Sequence, residues 1–193
     1  GIRDVAVTGV QTCALPIFTR SWEAYEEVVA AALAPVGLDV RSVHRDADPA
    51  TAAREAAVVL VGGGNTFHLL HHCRRTGVLD ALRRRERDGL RYVGWSAGAN
   101  LACPTICTTN DMPVIDPGGL DALGFVPFQI NPHYTNAHPP GHRGETRDQR
   151  LAEFLQANPQ RPVLALPEGT SLTYFNLQKY LNRHYIKPTP AAN

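Results

Sequence analysis

The chain has 193 residues, of which 19 are Lys or Arg and 18 are Asp or Glu, so its formal net charge at pH 7 is +1. This length suits one domain with a sizeable core and is short for two. A near-neutral charge gives no general attraction to nucleic acid or to an anionic membrane, and neither a membrane-spanning stretch nor a signal sequence is recognisable. We therefore predict a cytoplasmic protein with neither nucleic acid nor membrane as a partner.

The stretch from Val7 to Ile17 resembles, residue for residue, the translation of a common sequencing-adapter read. We therefore expect residues 1–18 to stand outside the selected domain, in the place of a native N-terminal strand. The alternative is a genuine strand and loop. We draw no functional prediction from this segment.

From Ser21 onward, predicted helices and strands alternate. Ser21 is a candidate N-cap for a helix that Pro35 and Gly37 end, and residues 38–43 alternate like a strand. The run 57–61 is continuously apolar, which is typical of a parallel strand buried on both faces. Further helices are predicted at 50–56, 66–70, 78–88, 97–102 and 145–155, and further strands at 90–93, 125–130 and 163–166. This alternation predicts an α/β domain with a mostly parallel sheet.

The pentapeptide from Gly94 to Gly98 places Ser96 between a predicted strand and a predicted helix. This is the setting of a nucleophile elbow, in which a serine on a sharp turn exposes its hydroxyl and needs glycine neighbours. The N–H of Ala97 would then point at a developing oxyanion. The sequence thus predicts a serine nucleophile at position 96.

A second glycine-rich turn, Gly62-Gly63-Gly64-Asn65-Thr66, follows the apolar strand at 57–61. It could cradle a phosphate, but it lacks the spacing of the dinucleotide and P-loop motifs. The N–H groups of Gly63 and Gly64 could instead complete an oxyanion hole. We favour the second use, because adjacent parallel strands bring both turns to one edge of the sheet.

A serine nucleophile needs a base, and the base needs a group that holds its tautomer. His133 and Glu168 each follow a predicted strand, so both are expected at the edge that carries Ser96. Asp111, in the loop 104–119, competes with Glu168 for the acid role, and the sequence leaves this choice open.

Two histidine groups allow a metal site as an alternative. His68, His71 and His72 share a helical turn, but a solvated helix face explains them better. The second group consists of His133, His138, His142 and Glu145, and its spacing is unlike common zinc motifs. Cys13, Cys73, Cys103 and Cys107 are scattered and are predicted to be reduced thiols. We expect neither a metal nor another cofactor.

Several separated motifs, in the right order, resemble the peptidase E family of α-aspartyl dipeptidases. The resemblance runs from about Thr19 to about Leu172. The motifs are Gly62-Gly63-Gly64-Asn65-Thr66-Phe67, Gly94-Trp95-Ser96-Ala97-Gly98-Ala99-Asn100, Thr108-Thr109-Asn110-Asp111-Met112-Pro113, Gln129-Ile130-Asn131-Pro132-His133-Tyr134, Gly144-Glu145-Thr146-Arg147 and Leu166-Pro167-Glu168-Gly169.

The resemblance implies a serine peptidase that removes an N-terminal aspartate from dipeptides through an acyl-enzyme. It implies Ser96 as nucleophile, His133 as base and Glu168 as third member, with Asp111 at another position considered catalytic. Arg147 is our candidate for pairing with the substrate side-chain carboxylate, and Asn65 and Thr109 are candidates for the pocket rim.

The implied fold is a doubly wound α/β domain with helices on both faces, similar to class I glutamine amidotransferases. We expect it to occupy residues 19–172, followed by a poorly matching tail at 173–193, in a monomer or homodimer. Two alternatives remain: cyanophycinase-like cleavage of β-aspartyl-arginine, and a non-catalytic fragment that lacks its native N-terminal strand. A glutamine amidotransferase is disfavoured, since its elbow nucleophile would be cysteine.

Overall fold

The computed structural model describes residues 9–11, 21–86, 89–138, 140–141 and 143–175. The strands are β1 Gly9–Gln11, β2 Val40–Arg41, β3 Val58–Val61, β4 Arg91–Gly94, β5 Gln129–Tyr134 and β6 Val163–Pro167. The α-helices are α1 Trp22–Leu33, α2 Pro49–Glu55, α3 Thr66–Arg75, α4 Val78–Glu86, α5 Ala97–Leu101 and α6 Arg147–Ala157, and single 3-10 turns span Ala34–Val36 and Val43–Arg45.

The described strands form two parallel sheets. The first has the order β2-β1-β3-β4, and the second is the pair β5-β6. All the pairings within them are parallel, as expected for strands that alternate with helices. The predicted α/β class with parallel strands is therefore confirmed.

Strand β1 lies within the segment that resembles a translated adapter. Its backbone pairs with two neighbours, because Gly9 is in register with Val40 of β2 and with Val58 of β3. The strand position next to β3 is therefore filled by Gly9–Gln11. The other residues of 1–18 lie outside the described residues.

The predicted strand at 125–130 is wrong in its bounds, since β5 begins at Gln129. The preceding residues bond to the end of α5 instead: the N–H of Leu123 donates to Leu101 O and that of Phe125 to Ala102 O, both at 2.9 Å. Tertiary hydrogen bonds therefore outweigh the β propensity of this apolar run. At its other end β5 extends past residue 130 to Tyr134, so His133 lies inside the strand and not beyond its end.

The bounds of other predicted elements also change. The predicted strand at 38–43 shortens to β2, because a 3-10 turn already starts at Val43. Helix α3 continues past Leu70 to Arg75. Helix α6 starts at Arg147 and not at Glu145, because Thr146 forms a capping box with Gln149.

The main core lies between β3 and the helices that follow it. Its fully buried members include Val59, Val61, Leu69, Leu70, Leu79, Leu82 and Leu101. These residues come from β3, α3, α4 and α5, so the elements that carry the two glycine-containing turns share one apolar cluster. This packing fixes the turns relative to each other.

Candidate active site

Ser96 occupies a sharp turn between β4 and α5. Its φ of 55° and ψ of −119° lie outside the helical and extended regions, a conformation that costs a non-glycine residue about 1–3 kcal/mol. A Cβ on Gly98 would lie 2.0 Å from Val61 O, and one on Gly94 would lie 2.6 Å from Gly98 O. Only glycine fits on either side, which is the strained geometry of a nucleophile elbow.

The glycine turn after β3 lies directly against Ser96. A Cβ on Gly63 would be 3.3 Å from Ser96 Oγ, and Gly98 N–H donates to Gly62 O at 3.2 Å. The N–H of Gly63 donates to the phenol oxygen of Tyr25 at 3.2 Å. Of the predicted oxyanion donors, Gly63 is thus engaged within the protein.

His133, the penultimate residue of β5, and Glu168, which directly follows β6, form a hydrogen-bonded pair. The register shifts between Pro132 and Tyr134, so His133 lies in a β-bulge, with a φ of 54°. A bulge re-aims a side chain that the regular pleat would direct elsewhere. His133 Nδ1 contacts Glu168 Oε1, so Nε2 is the ring nitrogen that Glu168 does not contact. Among the described residues, no hydrogen bond joins Ser96 Oγ to this ring.

Asp111 contacts the start of α3 and not His133. Its Oδ2 accepts hydrogen bonds from Thr66 N–H at 2.7 Å, from Thr66 Oγ1 at 2.6 Å and from Thr109 Oγ1 at 3.1 Å. A carboxylate at this position also interacts favourably with the helix dipole. Of the two acid candidates, only Glu168 bonds to the histidine.

Asn65 and Thr109, the two residues predicted at the pocket rim, both form hydrogen bonds at the loop that contains Asp111. Asn65 is 6% exposed; its Oδ1 caps α3 by accepting from His68 N–H, and its Nδ2 donates to Met112 O at 2.9 Å. The hydroxyl of Thr109 contacts Thr66 Oγ1 at 2.9 Å as well as Asp111. Both side chains therefore bind the loop around Asp111 to the start of α3.

Arg147, the first residue of α6, lies beside the histidine. Its Nη1 donates to Asn131 Oδ1 at 3.1 Å and to His133 O at 3.4 Å. Asn131 is 1% exposed, and its Nδ2 donates to Thr108 O at 2.8 Å and to Asn110 Oδ1 at 2.9 Å. One buried amide thus connects β5, the loop before it and the arginine.

The histidine groups do not assemble a metal centre within the described part of the chain. Among those residues, no cluster of three or more His, Cys, Asp or Glu could hold a metal ion, and His142 lies outside them. The rings of His68 and His72 are 4.5 Å apart, and burial lowers the pKa of both. Cys103 and Cys107 are free thiols and Cys73 is buried, while Cys13 lies outside the described residues.

Among the described residues, no helix is long and apolar enough to cross a membrane. The cytoplasmic location stays a prediction, as does the monomeric or dimeric state.

Two residues that make hydrogen bonds at the candidate site, Tyr25 and Asn131, have no predicted role. Tyr25 lies in a predicted helix whose pattern gives it no contact with the site, yet its phenol oxygen accepts a hydrogen bond from Gly63 N–H in the glycine turn. Asn131 was quoted within a motif without a role of its own. The signal available in the sequence was its position directly after the predicted strand at 125–130, where an amide that becomes buried must satisfy its hydrogen bonds.

A strained serine after a parallel strand, together with a histidine–carboxylate pair, is the arrangement typical of a serine hydrolase. Comparison with known proteins gives the family. Residues 8–180 match the model of peptidase family S51. The chain is 52% identical over 163 residues to Peptidase E of Salmonella heidelberg strain SL476, covering 84% of this chain and 71% of that protein. It is 54% identical to Peptidase E of Shigella flexneri serotype 5b strain 8401, covering 80% of this chain and 68% of that one.

A solved structure agrees with this assignment. The crystal structure of a candidate peptidase E from Listeria monocytogenes EGD-e superimposes with a TM-score of 0.60 at 26% identity, covering 83% of this chain and 76% of that one. The chain belongs to peptidase family S51 and is a serine peptidase. The predicted resemblance to peptidase E is confirmed.

Proposed function

We propose that this peptidase hydrolyses dipeptides with an N-terminal aspartate through an acyl-enzyme on Ser96. His133 takes the proton of Ser96 Oγ as that oxygen attacks the peptide carbonyl. The C–N bond then breaks, and the proton passes to the leaving amine. Water, deprotonated by the same histidine, hydrolyses the ester and releases aspartate.

In this mechanism Glu168 orients the base through Nδ1, which keeps Nε2 available for Ser96. The oxyanion is stabilised by the N–H of Ala97, at the start of α5, and by the N–H of Gly64 in the neighbouring turn. The proximity of Gly63 to Ser96 Oγ supports this pairing of the two turns. Asp111 acts as a positioning residue, since it holds the start of α3 directly after that glycine turn.

The observation that carries the aspartate preference is the environment of Arg147. Its hydrogen bonds go to two neutral oxygens, Asn131 Oδ1 and His133 O. Among the described residues no carboxylate forms an ion pair with it, whereas Arg150 on the same helix pairs with Glu145 at 3.9 Å. A half-buried cation without a counter-charge beside the base suits a substrate carboxylate. The names of the Peptidase E relatives are consistent with this preference.

The test compares Asp-Leu with Asn-Leu, which has nearly the same shape without the charge. We expect the unmodified chain to release aspartate from Asp-Leu, and Ser96→Ala to lose roughly a thousandfold or more in kcat. Arg147→Met should lower kcat/KM for Asp-Leu by about 10- to 100-fold more than for Asn-Leu, since both substrates share the loss of its bonds to Asn131 and His133. Arg150→Met is the matched control and should retain activity.

Two other outcomes would change the proposed substrate or contradict the proposed activity. Cleavage of β-Asp-Arg in preference to Asp-Leu would favour the cyanophycinase-like alternative. A folded chain that cleaves neither peptide would contradict the proposal.

We further infer that the two described sheets are parts of one doubly wound fold of the class I glutamine amidotransferase type. Residues 19–172 form the domain, and the N-terminal segment adds β1 to its sheet. Helix α5 supports this, because it contacts both β4 and β5, and Asn100 Nδ2 donates to Ile130 O at 2.8 Å. A crystal structure with helices on only one face of the strands would contradict it.

A further inference from the structure

Tyr25 connects the two turns that surround Ser96. Its phenol oxygen accepts two hydrogen bonds, one from Gly63 N–H and one from Trp95 Nε1–H, each at 3.2 Å. Its ring packs on the glycine turn so closely that a Cβ on Gly62 would lie 2.8 Å from a ring carbon. One oxygen atom therefore links the turn after β3 to the elbow after β4.

Helix α1 is fixed by contacts with β2, with β3 and with the residues that follow β2. Glu26, beside Tyr25 in the chain, is 7% exposed. Its carboxylate accepts Ser42 N–H at 2.8 Å and Arg45 Nε–H at 2.7 Å. Val29, on the same helix, packs in a buried cluster with residues of β2 and β3. The phenol is thus attached to a fixed helix, so its position is set before substrate arrives.

The Tyr25 contact also distinguishes between the amides of the glycine turn. Because Gly63 N–H donates to the phenol oxygen, it is not directed at a reacting carbonyl. The following amide, Gly64 N–H, has no acceptor among the described residues, and Gly64 has a φ of 126°. This backbone conformation favours glycine, and it orients the peptide plane differently from that of a regular strand or helix.

We propose that Tyr25 is a positioning residue of the oxyanion site, which acts by fixing the glycine turn against the elbow and leaving Gly64 N–H and Ala97 N–H as the donors. This inference rests on the proposed serine mechanism. It predicts that the phenol oxygen contributes to the transition state, in which the oxyanion exists, and little to the binding of the ground-state peptide.

The test removes this one oxygen. Tyr25→Phe keeps the ring that packs on Gly62 and loses both hydrogen bonds. We expect the rate at which a fluorophosphonate labels Ser96 to fall about tenfold, since this reaction needs the oxyanion site but no aspartate pocket. In the Asp-Leu assay, kcat should fall by the same factor with KM unchanged. The melting temperature, measured alongside, should stay within a few degrees.

Two further variants keep the inference falsifiable. Trp95→Phe removes one of the two bonds, and the double variant Tyr25→Phe/Trp95→Phe should be no slower than Tyr25→Phe alone, because the indole then has no bond to lose. Tyr174→Phe deletes the same atom from a tyrosine that packs on Phe128, and it should label at the normal rate. Fully additive losses, or an equal loss in Tyr174→Phe, would overturn the inference.

The labelling assay separates this inference from the proposed substrate. If Tyr25→Phe slows labelling while the unmodified chain fails to cleave Asp-Leu, the aspartate assignment is wrong and the role of Tyr25 stands. If labelling is unchanged in Tyr25→Phe, the inference is wrong even where Asp-Leu is cleaved. A folded chain that fluorophosphonate does not label at Ser96 would contradict both.

Discussion

The carboxylate of Asp111 binds Thr66 twice, accepting its backbone N–H at 2.7 Å and its hydroxyl at 2.6 Å. Through this contact the loop that follows α5 is attached to the first residue of α3. Because Thr66 comes two residues after Gly64, the contact also supports the glycine turn beside Ser96. Asp111 therefore holds a loop against the start of α3, whereas Glu168 forms a hydrogen bond to His133.

Replacing Asp111 should affect stability first. Asp111→Asn removes the charge from an acceptor of three hydrogen bonds, and we expect the free energy of unfolding to fall by about 1–3 kcal/mol. Urea denaturation followed by circular dichroism measures this change. Fluorophosphonate labelling under conditions where the variant is folded should drop only modestly. An unchanged denaturation midpoint with activity abolished would instead give Asp111 a direct catalytic role.

Glu168→Gln, the same exchange of carboxylate for amide, should affect rate and not stability. Glu168 has an exposed side chain, so its replacement removes little burial, but His133 loses the carboxylate that orients its ring through Nδ1. We expect kcat for Asp-Leu to fall roughly a hundredfold, less than the loss known for a buried triad acid. The melting temperature should hardly change. Equal kinetics for Glu168→Gln and the unmodified chain would exclude this residue from the catalytic group.

Gly98→Ala should disrupt the packing of α5 on β3. The added Cβ would lie 2.0 Å from Val61 O, a backbone atom of a buried strand that cannot move aside. We expect a loss of at least about 2 kcal/mol of stability, measured by thermal or urea unfolding, together with loss of activity.

Gly63→Ala provides the comparison for Gly98→Ala. Its Cβ would meet side-chain atoms of Ser96 at 3.1 and 3.3 Å, so the fold should survive while the nucleophile is crowded. A Gly98→Ala variant as stable as Gly63→Ala would contradict the close packing of the elbow.

The buried thiol of Cys103 should make the fold sensitive to alkali. Burial raises the pKa of Cys103 to about 12, whereas an unfolded cysteine ionises near pH 8.5. Between these values the unfolded state has lost a proton that the folded state keeps, so stability falls as pH rises. The contribution of the protonated Cys103 thiol to the free energy of unfolding is fully present below the pKa of the unfolded state and is lost as the pH rises toward the folded pKa.

The matching experiment measures unfolding free energy from pH 8 to pH 11 in the unmodified chain and in Cys103→Ala. The variant will be less stable throughout, because Ile130 N–H loses its bond to the sulfur at 3.1 Å. The unfolding free energy of Cys103→Ala should nevertheless fall less steeply with pH than that of the unmodified chain. Parallel curves for the two proteins would show that this thiol does not contribute to the alkaline loss.

Much of the framework was predictable because it depends on local chemistry. Ser21 caps α1 as predicted, by accepting from Ala24 N–H at 3.2 Å, and the apolar run at 57–61 supplies β3. The bounds of β5 were not predictable, because residues 123–125 form hydrogen bonds to α5 that local propensity does not report. The capping box at Thr146 is visible in the sequence as the three-residue spacing to Gln149.

The sequence by itself determined the family and the chemistry-bearing residue types: a serine between glycines, a histidine and acids after strands, and an arginine in a recognisable motif. The tertiary structure decided their relations. It bonds Glu168 and not Asp111 to His133, it assigns Asn65 and Thr109 to the support of a loop, and it brings Tyr25 to the glycine turn. Such pairings join residues far apart in the chain. They depend on which elements pack together, and no local pattern of residues contains that information.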